Sequence, residues 1–187
     1  MPGTVPILDH AIRGVRLLRL SPNDDTRGSF TEFCREQWLD VPRSVQWNLV
    51  HSHARVLRGI HVHIRHYDYL VVIDGSTQVA IGDLRQASPT TGQWDVVTLD
   101  ARELTAISIP PGVAHGFWFP KRTIHLYGMS EYWCPEEEMG CHWADPALSL
   151  DWRVADPIMS ARDAELGSVQ NLMHDLAPYQ HLFRIPA

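Results

Sequence analysis

The sequence predicts an all-β sandwich or barrel, and three observations carry that reading. Short runs alternate apolar and polar residues with a period of two. Turn-forming Gly, Pro, Asp and Ser break these runs at the spacing of hairpins. Helix signals are confined to the chain ends.

The elements follow in order. Residues 29–34 (SFTEFC) alternate. Across residues 59–65, Gly59, His61, His63 and Arg65 share one strand face, while Ile60, Val62 and Ile64 share the other. YLVVIDG (69–75) is a buried strand entering a turn at Asp74-Gly75, with STQVAIGDLR (76–85) as its hairpin partner. SPTTGQW (88–94) is a turn before the strand DVVTLD (95–100). TAISIP and HGFWFP are strands around the turn Pro110-Pro111-Gly112, and TIHLYGMSEYW (123–133) is a long strand. SARDAELGSVQNL (160–172) is the best helix, with Ser160 as N-cap. Repeats, low-complexity segments and linkers are missing from the sequence.

Composition narrows the function. A chain of 187 residues is long enough for one buried core, and 44% hydrophobic with 20% charged residues is ordinary for a globular protein. A net charge of −6 argues against general affinity for nucleic acid or an anionic membrane. Lys121 is the only lysine, so the positive charge is almost all arginine, which suits bidentate contacts to phosphate. Cys34, Cys134 and Cys141 are odd in number and irregularly spaced, which reads as a reducing compartment. The first residues, MPGTVPILDHAIRG, show no signal-peptide pattern, and no run approaches 18 apolar residues. The expected location is the cytoplasm.

The chemistry concentrates in RGIHVHIRHYDYL (58–70), where His61, His63 and His66 fall within six positions. His61 and His63 share a face. His66 lies past that face and reads as a surface or loop residue. The turn IPPGVAH adds His115, and Tyr127 shares a strand face with His125 and Met129. A His-x-His step suits either a metal or a proton-abstracting base.

Seven blocks then fall into a familiar order: DDTRGSFTEF (24–33), QWN (46–48), VLRGIH (56–61), DLRQASPTTGQW (83–94), IPPGVAHGF (109–117), LYGMSEYWCP (126–135) and GCHWADPALSLDW (140–152). Together they resemble the dTDP-4-dehydrorhamnose 3,5-epimerase family over roughly residues 20–165. The resemblance implies a cupin-type jelly roll (a double-stranded β-helix barrel) forming one domain over 1–187, with a core over about 20–155 and a helical tail over 156–187. It implies a homodimer, a nucleotide-sugar substrate, and no metal or organic cofactor. A base removes the proton next to the C4 ketone of a dTDP-linked 4-keto-6-deoxyhexose, and a proton returns on the other face.

By the same resemblance His61 is the base, Asp163 in MSARD orients it, and Tyr127 is the acid. Without the resemblance, Asp163 reads as a first-turn helix carboxylate and Tyr127 as a barrel-wall tyrosine. Arg27 and Arg58 match arginines near the phosphates. Phe30, Glu32 and Glu138 match nucleotide contacts, Gln46, Asn48 and His115 match polar pocket positions, and Trp133 stands where a base-stacking Tyr is frequent. Core packing is the plain alternative for Phe30 and Trp133, and a solvated face for Glu138.

One position departs. The family carries a lysine, held to stabilise the enolate oxygen, where this chain reads DYLV with Tyr69 in its place. Losing such a donor costs on the order of 3 kcal/mol by analogy with oxyanion holes. Tyr69, His63 or Arg65 are the expected replacements. Two rival readings stay open. His61, His63 and His115, with Asp68 as the carboxylate, fit the ligand spacing of a metal-dependent cupin. A sugar-nucleotide-binding protein without turnover is the other.

Overall fold

The period-two pattern is realised as two facing sheets in the computed structural model, which describes residues 5–39 and 41–185. The ends of the expected 1–187 domain, residues 1–4 and 186–187, lie outside the described residues. Thirteen strands are described: β1 (Ile7–Asp9), β2 (Arg16–Arg19), β3 (Pro22–Asp25), β4 (Gly28–Thr31), β5 (Gln46–Ser52), β6 (Val56–His63), β7 (Asp68–Asp74), β8 (Ser76–Asp83), β9 (Trp94–Asp100), β10 (Thr105–Ile109), β11 (Val113–Phe119), β12 (Thr123–Met129) and β13 (Glu138–Gly140). One sheet has the order β1-β2-β10-β7-β12-β5 and the other β13-β6-β11-β8-β9. β3 and β4 form a separate two-stranded hairpin. All pairings within the sheets are antiparallel. This is the cupin-type jelly roll.

Alternation sorts each strand into layers. Between the sheets lie Leu70, Val72, Val79, Ile81, Leu99, Ile107, Ile109 and Val113. Their odd-even neighbours face outward. On the β6 side, Leu57, Ile60, Val62, Ala114 and Trp118 pack under the C-terminal segment, against Leu172, Leu176 and Phe183. On the β7 side, Tyr69, Val71 and Ala106 pack with Leu18 and Leu20.

The expected hairpin at Asp74-Gly75 is corrected by the sheet order. β7 belongs to the six-stranded sheet and β8 to the five-stranded one, so this turn crosses between sheets instead of pairing its flanks. Gly75 makes the crossing with φ +88°, and a Cβ there would meet the Arg122 carbonyl at 2.4 Å. The Pro110-Pro111-Gly112 turn likewise joins β10 to β11 across the gap. Local turn chemistry was legible, but the choice of pairing partner is set by non-local burial.

The expected helix over 160–172 is two helices, α1 (Ala161–Ala164) and α2 (Val169–Leu176). Ser160 caps the first through the N–H of Asp163, and Ser168 caps the second through the N–H of Asn171. The second cap, preceded by Gly167, is what splits the element. No helix of the described residues is long and apolar enough to cross a membrane.

Ile107 is fully buried between the sheets. Ile107→Ala is expected to lower unfolding stability by about 2–5 kcal/mol, read by urea denaturation. A loss below about 1 kcal/mol would mean this layer is not close-packed.

Candidate active site

A cavity of about 460 Å³ opens between the sheets. It shares Leu70, Phe117 and Tyr127 with the inner apolar layer. Its walls come from strands whose alternation points polar side chains inward: Arg58, His61 and His63 from β6, Asp68 from β7, His115 from β11, and His125 and Tyr127 from β12. The C-terminal segment closes another side with Ser160, Arg162 and Asp163.

β6 reaches the cavity through a bulge. Its register with β11 shifts between the pairs His115–His61 and Phe117–Arg58. Gly59 sits in that shift at φ +104°, where a Cβ would lie 2.9 Å from both the Gly116 Cα and the His115 carbonyl. The bulge turns the Gly59 N–H toward Asp163, whose Oδ2 accepts it at 3.1 Å. The other oxygen of Asp163 lies 2.7 Å from His61 Nε2. Asp163 is 4% exposed. Burial pushes its carboxyl up, but the His61 and Gly59 contacts and the Arg162 charge outweigh this and hold it below its ordinary value. An ionised Asp163 places the His61 ring proton on Nε2 and the lone pair on Nδ1. Tyr127 faces this dyad from the opposite sheet. Burial, with Asp68 and Glu138, pushes its phenol upward against Arg58, so it is a protonated donor at neutral pH.

A second polar cluster lies beside the dyad. Asp68 Oδ2 is 3.4 Å from His63 Nε2 and 3.3 Å from His115 Nε2, and its Oδ1 is 3.7 Å from His66 Nε2. Burial pushes the Asp68 carboxyl up, but His63, His115 and His66 bring it down to about 2. Burial also holds the imidazoles of His63 and His66 below their ordinary range, against the pull of Asp68.

The sequence expectations distribute as follows. His61, Asp163, Tyr127, Arg58, His63, His115, Trp133 and Glu138 all line the cavity. Trp133 Nε1 donates to Glu138 at 2.6 Å, and Arg162 pairs with the same carboxylate. Gln46 and Asn48 share the half-buried face of β5 with Val50, which lines the cavity. Gln46 donates to Asn48 at 3.1 Å and accepts from the Trp133 N–H at 3.0 Å, while Asn48 contacts the Met129 sulfur.

Five expected placements differ from the structure. Tyr69 does not face the cavity. It is 5% exposed on the outer face, in edge contact with Trp47, and its hydroxyl donates to the Phe33 carbonyl at 2.5 Å. Alternation with Leu70 makes Asp68 the inward residue of that strand start, so a carboxylate stands where Tyr69 was expected. Arg65 pairs with Glu137 and does not line the cavity. His66 is buried at 5%, stacked on His63 with ring centroids 3.9 Å apart, not a surface residue. Arg27, Phe30 and Glu32 do not reach this chain's cavity. They lie on or just after the β3–β4 hairpin, with Arg27 held by Asp25 at 2.6 Å, Phe30 67% exposed, and Glu32 paired with Arg35. The proposed ligand set of His61, His63, His115 and Asp68 is not assembled either, because His61 turns to Asp163. His125 and Arg162 are cavity residues to which the sequence reading gave no role, and Asp68 entered that reading only as the carboxylate of the rival metal set. The period-two face of β7, counted back from Leu70, carried the signal for Asp68.

A histidine–carboxylate dyad facing a tyrosine inside a jelly roll is an arrangement suited to an isomerase that works by proton transfer. The family model of dTDP-4-dehydrorhamnose 3,5-epimerase matches residues 9–171. The chain belongs to that family. It is 38% identical over 151 residues to the dTDP-4-dehydrorhamnose 3,5-epimerase of Pseudomonas aeruginosa, covering 75% of this chain and 83% of that one. It is 34% identical over 166 residues to the enzyme of that name from Neisseria gonorrhoeae, covering 84% of this chain and half of that protein's length. Among solved structures, the Legionella pneumophila dTDP-6-deoxy-D-glucose-3,5-epimerase in complex with dTDP-4-keto-L-rhamnose superposes with a TM-score of 0.83 at 27% identity, covering 98% of this chain and 99% of that one.

His125 lies inside this wall, stacked on Phe119 at 5.4 Å. Burial, joined by the Arg58 charge, holds its imidazole down to about 4. The unfolded chain, with a value near 6.5, binds the proton more readily, so stability rises with pH between about 4 and 6.5 and is lost as pH falls through that window. His125→Phe is expected to flatten that limb in urea unfolding across the same range. A variant that keeps the wild-type slope would assign the acid sensitivity elsewhere.

Proposed function

We propose that the chain epimerises a dTDP-type nucleotide-linked 4-keto-6-deoxyhexose at C3, C5 or both. The observation that carries this reading is the His61–Asp163 contact of 2.7 Å on one sheet, with Tyr127 on the other across the cavity. Packed sheets stand about 10 Å apart, which leaves space for one sugar ring between base and acid. His61 Nδ1 takes the proton from the carbon next to the ketone. The C–H electron pair forms the enolate, with its charge on O4. Tyr127 returns a proton to the opposite face of that carbon; His61 then passes its proton to solvent and the Tyr127 phenolate takes one back from solvent. Asp163 fixes the tautomer and balances the imidazolium that forms. Arg58 supplies positive charge at the diphosphate end, and Trp133 a flat face for the base.

The active unit is a homodimer. Arg27 and Phe30 project from the exposed β3–β4 hairpin, away from this chain's cavity. β5 is an edge strand that presents Trp47 and Leu49, the latter 61% exposed. Pairing of two such faces covers the edge and carries the hairpin to the partner's cavity. Each chain acts as one jelly-roll domain with its helical tail. The irregularly spaced thiols support a cytoplasmic setting.

Incubation with dTDP-4-keto-6-deoxyglucose in D2O, followed by NMR at C3 and C5, tests the reaction. Wild type is expected to take up deuterium, and His61→Asn to lower the exchange rate by about 10²–10⁴-fold. Binding without deuterium uptake at either carbon would replace the epimerase with a sugar-nucleotide-binding protein. Tyr127→Phe is expected to retain exchange on the His61 face while losing the epimer.

Arg27→Ala and His61→Asn are each expected to be nearly inactive alone. Mixed and allowed to exchange subunits, they are expected to recover about a quarter of wild-type activity, because half the dimers are mixed and each has one intact site. No recovery from a demonstrated mixed dimer would return Arg27 to its own chain.

A further inference from the structure

We propose that His63, His66, His115 and Asp68 hold one divalent transition-metal ion in the cavity wall. Three imidazole nitrogens surround one carboxylate at 3.4, 3.7 and 3.3 Å. These histidine–carboxylate spacings approach the roughly 3.3–3.4 Å between donor atoms bound tetrahedrally at about 2.0–2.1 Å, and His115 meets the cluster through Asp68 Oδ2, outside the group whose donors all lie within 4.8 Å of one another. Each of the four side chains is nine-tenths or more buried. His63, His66 and Asp68 bring one donor atom each within 4.8 Å of one another.

Hydrogen-bond direction adds an independent argument. His115 Nδ1 lies 3.2 Å from the Val113 carbonyl, which can only accept. The ring proton therefore sits on Nδ1, and Nε2 turns a lone pair toward Asp68 Oδ2. Metal-binding histidines are oriented in this way by a backbone carbonyl on the far nitrogen. His66 Nε2 and Asp68 Oδ2 are both buried with no hydrogen-bond partner. Such orphans are rare and call for an explanation. An added proton on His115 would join it to Asp68 but leave His66 Nε2 without a bond. A metal ion satisfies His66, His115 and Asp68 together. Three imidazoles and one carboxylate suit Zn(II), Fe(II), Ni(II) or Mn(II).

His61 stays outside this shell, bound to Asp163, so base and ion are separate groups in one cavity. On the epimerase reading, the ion supplies Lewis-acid charge near a developing enolate, in a site without a lysine. The site itself stands without that reading, and metal content tests it apart from turnover.

The test uses untagged full-length protein, stripped with chelator and dialysed against Zn(II) or Co(II). Elemental analysis is expected to find about one ion per chain, and Co(II) to give the intense visible bands of a four-coordinate site. Asp68→Asn and His66→Gln are each expected to weaken binding at least about 10-fold. His61→Asn is expected to keep the metal while losing proton exchange, which separates the site from the reaction. Stripped wild type that takes up none of Zn(II), Co(II), Ni(II), Mn(II) or Fe(II) would overturn the site. Uptake unchanged in both Asp68→Asn and His66→Gln would also overturn it. If either variant fails to fold, the wild-type cobalt spectrum decides: bands of octahedral, water-ligated Co(II) count against the proposal.

Discussion

The site depends on one carboxylate that makes two bonds to one strand. Asp163 accepts the Gly59 N–H with one oxygen and meets the His61 ring with the other. The first bond requires the bulge and a glycine that tolerates positive φ. The second fixes how His61 presents its lone pair. Around this clamp the tail runs beside β6: Leu57 N–H donates to Ile158, and Ile158 N–H to Arg55. Ser160 then caps the turn that carries Asp163. A small helix, a bulge and a strand edge thus form a single hydrogen-bonded unit, with the Leu172 and Leu176 layer behind it.

The two-sheet architecture assigns opposing chemistry to opposing walls. His61 stands on β6 and Tyr127 on β12, so the sheet separation, not any loop, sets the distance between them. Strand alternation then decides which residues enter the cavity. A one-residue slip on β7 would exchange Asp68 and Leu70 for Tyr69 and Val71 and reverse the polarity of that wall.

Much of this was legible in the sequence because it is local. The faces of residues 59–65 and 123–129 follow from period two, and the structure orients His61, His63, His125 and Tyr127 accordingly. Ser160 as a cap needed only its neighbours. The misreadings have physical causes. The Asp74-Gly75 turn looks like a hairpin because turn chemistry is the same whether the chain pairs with itself or crosses to another sheet. Tyr69 was placed by motif position, whereas the inward alternation of Leu70 selects Asp68. His66 lies beyond the strand, in a bend where periodicity gives no face, and only the fold packs it against His63. Arg27 and Phe30 sit on a hairpin whose direction no local pattern encodes.

The Asp163 clamp also fixes when the site can come into being. His61 and Asp163 are 102 residues apart in the chain, with seven strands between them. As the polypeptide emerges from the ribosome, the strands and their histidines leave the exit tunnel before Asp163 does. His61 therefore gains its Asp163 contact only after the strands that enclose it have emerged. Reactive competence arrives as the last long-range closure of the fold, and a nascent or truncated barrel stays chemically quiet.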